Sequence, residues 1–379
     1  MPVWWSVIIY MLFVSALGMK MYSNSKKKAV NQINNEINNT DINSSQSISF
    51  IFAILSFALL VFFVGQRSYI FDSSEYQYAF NGEARGINQF FSILFDFNNS
   101  KGSAFSALMV LFKSIFPYAQ YNDWFTFLAI IQVLLLARTM HKYSCNYVLS
   151  IYFFMTMSYF VWMLNGTRQF TAVCVVFGFI DLLIEKKGIK FFIVVFIAFL
   201  FHSSAIIWLP VYFCMMFDEW SVKFIIVSAC IVIALFIFLK NQNSDSNYFY
   251  LTENAYSNGV NPIRVLISAI PVVLSFIRKD KITQTAPYFI RCFIKFAIIT
   301  TEIYILTIFV SAVVGRIVAF LSIFQILLLP WLLKYAFNEA ERKILSLLLV
   351  ILYFLYFIYD MYVAGNGIYN SRNLNLLFL

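Results

Sequence analysis

The sequence predicts an all-α polytopic membrane protein, and three observations carry that prediction. Of its 379 residues, 61% are hydrophobic and only 12% are charged, against about 25% charged in a soluble domain. Apolar runs recur from end to end, most of them near the roughly 20 residues that a helix rising about 1.5 Å per residue needs to cross a bilayer. Between the runs, Lys and Arg collect in alternate loops, the charge asymmetry of a multi-pass chain. The net charge of +9 therefore reads as loop topology, and no nucleic-acid partner is expected.

Taken in order, the apolar segments lie at about 3–22, 48–66, 123–140, 146–164, 168–184, 189–201, 203–217, 222–239, 262–278, 288–312, 316–335 and 343–363. They make about 12 transmembrane helices in a single integral membrane domain, 1–379. The first segment reads as a span rather than a cleaved leader, because no basic region precedes it and Lys20, Lys26, Lys27 and Lys28 follow. Residues 23–47, rich in Asn and Ser, read as a disordered cytoplasmic linker. Residues 67–122 read as the largest outer loop, with an amphipathic helix at 104–116 that stays on the outer side, and 240–261 as a second outer loop. Segments 189–201 and 203–217 are short, and they are expected to form a helical pair turning near His202 rather than one span. With these choices 17 Lys and Arg fall inside and 9 outside, with Lys295 left within a span.

The two sides differ in kind as well as number. Six of the nine outer bases are Arg, against four of the seventeen inner ones. Topology needs only positive charge, whereas a planar guanidinium fork suits phosphate or carboxylate. Arg67, Arg168, Arg264 and Arg316 each stand at the outer end of a predicted span, Arg168 and Arg316 at helix N-termini where free N–H groups favour an anion. Any one of them singly also fits a snorkelling anchor at headgroup depth. Arg168, flanked by Asn165-Gly166-Thr167 and Gln169, is where anion binding is the preferred reading.

His202 lies in an otherwise apolar run. It reads either as a base for a sugar hydroxyl or as a neutral histidine bonded to a carbonyl at a helix turn. The stretch Arg67…Asp72…Glu75-Tyr76 brings a cation, two carboxylates and a tyrosine to the outer side, as a substrate surface or as a solvated loop. Lys295 and Glu302, seven apart in one span, read as structural partners of other helices. His141 reads as an inner interface residue. The five cysteines lack CxxC spacing and read as small core residues. With only two histidines no metal site and no cofactor are expected, and no Walker A, GxGxxG or GxSxG motif occurs.

With Gly65-Gln66-Arg67…Asp72…Tyr76, Arg168-Gln169, Phe201-His202-Ser203-Ser204-Ala205-Ile206, Pro210, and Gly315-Arg316-Ile317…Pro330, the chain resembles the EpsG-like family of polysaccharide polymerases. That family is related in role to Wzy, the O-antigen polymerase. The likeness extends from about residue 50 to 335, and the Arg-Gln pair some 33 residues before Phe-His-Ser-Ser is its most specific element. Phe71 before Asp72 departs from the family's usual Gly-x-Asp arrangement.

The resemblance implies a GT-C-like fold in the bacterial inner membrane. It also implies a reaction at the periplasmic face that joins undecaprenyl-pyrophosphate-linked repeat units into O-antigen or exopolysaccharide. The implied partners are the lipid-linked glycan donor and acceptor, the bilayer, and a chain-length regulator of the Wzz type. On that reading Arg168, Arg264, Arg316 and Arg67 face the pyrophosphate, and Gln169, Asn165 and Tyr76 hydrogen-bond sugars. His202 readies the acceptor hydroxyl, with Asp72 or Glu75 as substitutes. A flippase for the same lipids, a membrane acyltransferase and a structural scaffold are the competing expectations; a transporter is expected to show inverted repeats, and none is evident.

Overall fold

The computed structural model describes residues 2–33, 48–67, 70, 72–82, 87–96, 102–242, 261–308 and 314–364, and its regular secondary structure is helical. Residues 34–47 of the linker, 243–260 of the second outer loop, Phe71, Glu83, Arg85, Lys101 and Arg372 lie outside the described residues. Among those described, four helices are long and apolar enough to cross a membrane: Trp4–Ser23, Tyr121–Tyr143, Arg316–Ala336 and Glu339–Tyr362. Shorter apolar helices occupy several of the other predicted segments, among them Phe50–Gly65, Gly188–Phe201, Val222–Ala234 and Pro262–Ile277. Together they suggest a multi-pass membrane protein.

Several predicted spans are broken helices, so helix length alone does not give about 12 crossings. At Ser56 the hydroxyl bonds back to the Ala53 carbonyl at 2.7 Å, between helices Phe50–Leu55 and Ala58–Gly65; such back-bonding bends helices. Ser158, at φ +61°, divides Tyr147–Thr156 from Tyr159–Leu164. The first helix differs the other way. It runs Pro2–Ile33, through Lys26, Lys27 and Lys28 and past the expected start of the disordered linker. Lys, Ala and Gln are good helix formers, and periodic polarity does not stop a helix as Gly or Pro does.

The chain divides into two compact units. The first comprises Met1–Phe179, Ile197–Ser203 and Ser346–Leu379. Here the Tyr121–Tyr143 helix packs between Ala58–Gly65 and Thr167–Gly178. Gly65 permits that approach, because a Cβ there would collide with Thr126 Oγ1. Thr139 Oγ1 donates to the Phe177 carbonyl at 2.7 Å and Arg138 to that of Gly178, so polar groups satisfy the end of the Thr167–Gly178 helix. The segment read from sequence as the largest outer loop supplies helices Ser73–Gly82, Phe90–Leu94 and Ser103–Ile115. Ser103–Ile115 buries Phe105, Met109, Val110 and Phe112 together with Ser103 and Lys113, while Ile115 is exposed.

The second unit comprises Ile180–Phe196 and Ser204–Leu345. The helix that starts at Gly188 stops at Phe201, a 3-10 turn covers Ser203–Ile207, and the chain returns as Trp208–Cys214. Rings of Phe192 and Tyr212 stand 4.7 Å apart and those of Phe191 and Trp208 5.7 Å apart, so the helical pair turning near His202 is what forms. Trp208 is fully buried, edge-on to Phe296 at 5.1 Å and Phe324 at 6.0 Å. Lys295, 2% exposed, donates to the Met215 carbonyl at 3.2 Å, and Glu302 accepts from Ser228 Oγ at 2.9 Å. Both in-span ionisable groups thus bond to other elements and not to each other. Arg291 grips Glu219 through Nε, at 2.8 and 3.0 Å, and Asp218 at 2.8 Å. Cys145, Cys174, Cys214 and Cys292 are buried, as core cysteines should be, whereas Cys230 is exposed. His141 is exposed beside the Phe50 ring.

Candidate functional site

The site in the first unit begins with a helix break. Tyr159–Leu164 ends, Asn165 is extended at φ −129° and ψ 124°, and Gly166 turns left-handed at φ +81°. That conformation costs glycine little and an ordinary residue about 1–2 kcal/mol. Helix Thr167–Gly178 then starts with no side-chain cap, and its N-terminus carries the positive end of the helix dipole. Thr167 turns its hydroxyl back to the Met163 carbonyl at 3.0 Å. Arg168 follows as the second residue of the helix and is half-buried; Gln169 is buried at 3% exposure.

Arg168 meets the helix Ser73–Gly82. Its guanidinium carbon lies 5.5 Å from the centre of the Tyr76 ring, a cation set against an aromatic ring. Tyr76, on Ser73–Gly82, is 5% exposed and sits 5.5 Å from Phe105 in a cluster with Phe80, Met109, Phe112, Trp124, Phe125 and Leu128. Burial raises the Tyr76 pKa, and the Asp72 carboxylate adds to that, while Arg168 and Arg67 pull it down. The phenol therefore stays protonated at neutral pH, able to donate as well as accept.

Gly102 completes the contact. At φ +111° it caps Ser103–Ile115, and a Cβ there would stand 2.9 Å from the Phe201 carbonyl and 3.3 Å from Arg168 Cδ. The end of the Gly188–Phe201 helix and the arginine side chain thus converge on one glycine. His202 follows directly, half-buried, its amide bonded to the Ala198 carbonyl at 2.9 Å. Asp72 is half-buried and acts electrostatically on both Arg67 and Tyr76. Glu75 is exposed in the first turn of Ser73–Gly82, where a carboxylate suits the helix dipole. Asn165 is half-buried, and its Oδ1 is buried without a hydrogen-bond partner among the described residues.

Arg67 stands differently from Arg168. It is 0% exposed, with one terminal nitrogen on the Met163 carbonyl, the other on Thr167 Oγ1 at 2.8 Å, and its guanidinium carbon 3.8 Å from the Phe125 ring centre. Burial lowers its pKa to about 9, against the upward pull of Tyr76 and Asp72, so it remains a cation at neutral pH. Arg264 and Arg316 belong to the second unit. Arg264 is the third residue of Pro262–Ile277, a helix capped by the Asn261 side chain, and Arg316 lies in the 3-10 turn Val314–Val318; both are half-buried. No group of three His, Cys, Asp or Glu side chains that could hold a metal occurs among the described residues.

Three residues of the neighbourhood, Gly102, Gln132 and Lys113, escaped the sequence reading, and Thr167 entered it only as a flank of Arg168. Gly102 looks like any loop glycine without its backbone angle. Thr167 and Gln132 are linked, Gln132 donating to Thr171 Oγ1 at 2.9 Å and to the Thr167 carbonyl at 3.4 Å; a lone amide in an apolar span was the available signal. Lys113, counted only as an outer charge, is 4% exposed and donates to the Phe80 carbonyl.

Comparison with known proteins adds one assignment. No curated protein and no solved structure matches the chain. Residues 50–375, which carry the helix break, the Ser73–Gly82 and Ser103–Ile115 helices and the Phe201-His202 turn, match the EpsG family. The chain belongs to the EpsG family.

Proposed function

We propose that this chain is a Wzy-type polymerase that joins lipid-pyrophosphate-linked repeat units at the periplasmic face of the membrane. EpsG family membership suggests exopolysaccharide biosynthesis, and the polymerase step is our reading of the site. The observation that carries it is Arg168, at a helix N-terminus without a side-chain cap and 5.5 Å from the centre of the Tyr76 ring, next to the turn that bears His202.

In the reaction a hydroxyl oxygen at the non-reducing end of the incoming unit attacks the anomeric carbon of the growing chain. The bond from that carbon to the pyrophosphate oxygen breaks, its electron pair stays on the pyrophosphate, and the hydroxyl proton passes to a base. Negative charge grows on the departing undecaprenyl pyrophosphate, and a fixed cation at the positive end of a helix dipole stabilises it. Arg168 supplies that cation. His202 is the proposed base, with Asp72 or Glu75 in its place if His202 only orients the sugar. Gln169, Asn165 and Tyr76 hold sugar hydroxyls. Arg264 and Arg316 are proposed as further phosphate contacts, and a chain-length regulator of the Wzz type as a partner.

The test is to replace Arg168 or His202 by alanine and display surface polysaccharide on gels. A polymerase defect leaves single repeat units on the lipid acceptor, whereas a flippase defect leaves no capped product. Normal long chains in both mutants would remove the enzymatic assignment.

A further inference from the structure

We infer that Arg67 is a positioning residue that fixes the helix break presenting Arg168, and not itself a contact for the substrate. In an unbroken helix the Met163 carbonyl would accept from the amide of Thr167. The left-handed turn at Gly166 leaves that carbonyl without a regular partner, and an unsatisfied buried carbonyl is costly. Arg67 fills the vacancy from about one hundred residues earlier in the chain. One terminal nitrogen takes the Met163 carbonyl before the break, the other takes Thr167 Oγ1 after it, and the Thr167 hydroxyl itself bonds to Met163 at 3.0 Å. The three groups form a closed ring of hydrogen bonds around the turn.

The position of the cation follows from the same contacts. Phe125 covers one face of the guanidinium at 3.8 Å, a favourable seat for a delocalised charge. At 0% exposure Arg67 has no surface to offer a phosphate, in contrast to half-buried Arg168. Gln132 braces the other side of the turn through the Thr167 carbonyl and Thr171. Lysine cannot reproduce this, because an ammonium lacks the planar fork that reaches two acceptors at once.

The inference rests on Arg168 as the phosphate contact, and the experiment separates the two ideas. Full-length protein in nanodiscs is titrated with fluorescent undecaprenyl diphosphate, and amide hydrogen exchange of residues 163–170 is followed without ligand. Arg67→Met should weaken binding about tenfold, the scale of losing one well-made hydrogen bond, and should add nothing in the Arg168→Ala background. An equal further loss in that background would make Arg67 a direct ligand and overturn the inference. Exchange of the first turn after Gly166 should quicken in Arg67→Met and in Thr167→Val, with Thr167→Ser restoring the slow rate. Unchanged exchange overturns the inference whatever the binding result. If Arg67→Met does not accumulate, Arg67→Lys and Thr167→Val carry both readouts. A wild-type protein that fails to bind the probe counts against the proposed function, while the exchange arm still decides the role of Arg67.

Discussion

The Arg168 guanidinium carbon rests 5.5 Å from the centre of the Tyr76 ring. A residue in the first turn of a helix is thereby set against the Ser73–Gly82 helix, and its charge is held in one place before any substrate arrives. Preorganisation of this kind matters because a cation that must reorient during reaction gives back part of what it stabilises.

For Arg168 itself, alanine should lower polymerisation by about 10²–10³-fold, the usual consequence of deleting one preorganised group at a developing charge. Lysine should recover only a small part of the loss, since it keeps the charge but not the fork. Pulse-labelled chain growth in membranes, normalised to protein level, measures both. Lysine at wild-type rate would mean that only charge is required.

Gly102→Ala is the steric counterpart. The added methyl meets the Phe201 carbonyl at 2.9 Å and Arg168 Cδ at 3.3 Å, on a backbone at φ +111°. Strain of about 1–2 kcal/mol should displace the loop rather than unfold the protein. Polymer should shorten or vanish while membrane-inserted protein remains.

Tyr76 gives a pH-dependent expectation. Its pKa lies above the ordinary value of 10.0, chiefly through burial. A raised folded pKa favours the protonated native state, so this contribution is complete below pH about 10 and is lost as pH rises beyond it. Thermal unfolding of detergent-solubilised protein should therefore show wild type losing more stability than Tyr76→Phe on going from pH 9 to 11. Parallel curves would place the tyrosine in a more solvated setting.

Packing in the second unit can be tested apart from chemistry. Trp208 is fully buried against Phe191, Phe296 and Phe324. Replacement by alanine should cost about 3–5 kcal/mol, while phenylalanine should cost less. Fluorescence-detected size-exclusion after heating ranks the two.

Arg264→Ala and Arg316→Ala extend the test to the second unit. If both arginines share the phosphate load, each should reduce polymer while leaving the single-unit product, as Arg168→Ala does. Full-length polymer in either mutant makes that arginine an anchor at headgroup depth.

Much of this protein is written locally. Apolar runs set where helices form, and Asn165-Gly166-Thr167 marks the break that exposes Arg168, because glycine alone takes the left-handed turn cheaply. The 189–217 hairpin was legible too, since neither half was long enough to span alone. Other features were not. Arg67 and Arg168 look alike in sequence, each following an apolar run, yet one is 0% exposed and the other half-buried. Whether a charge is covered depends on which distant residues return to it, here Phe125, Met163 and Thr167. Lys113 and Gly102 acquire meaning in the same way, from Phe80 and from Phe201 with Arg168. Local propensity and hydrophobic period act over a few residues and can specify a helix or its end. Burial and hydrogen-bond partnership are properties of packing, and only the tertiary structure decides them.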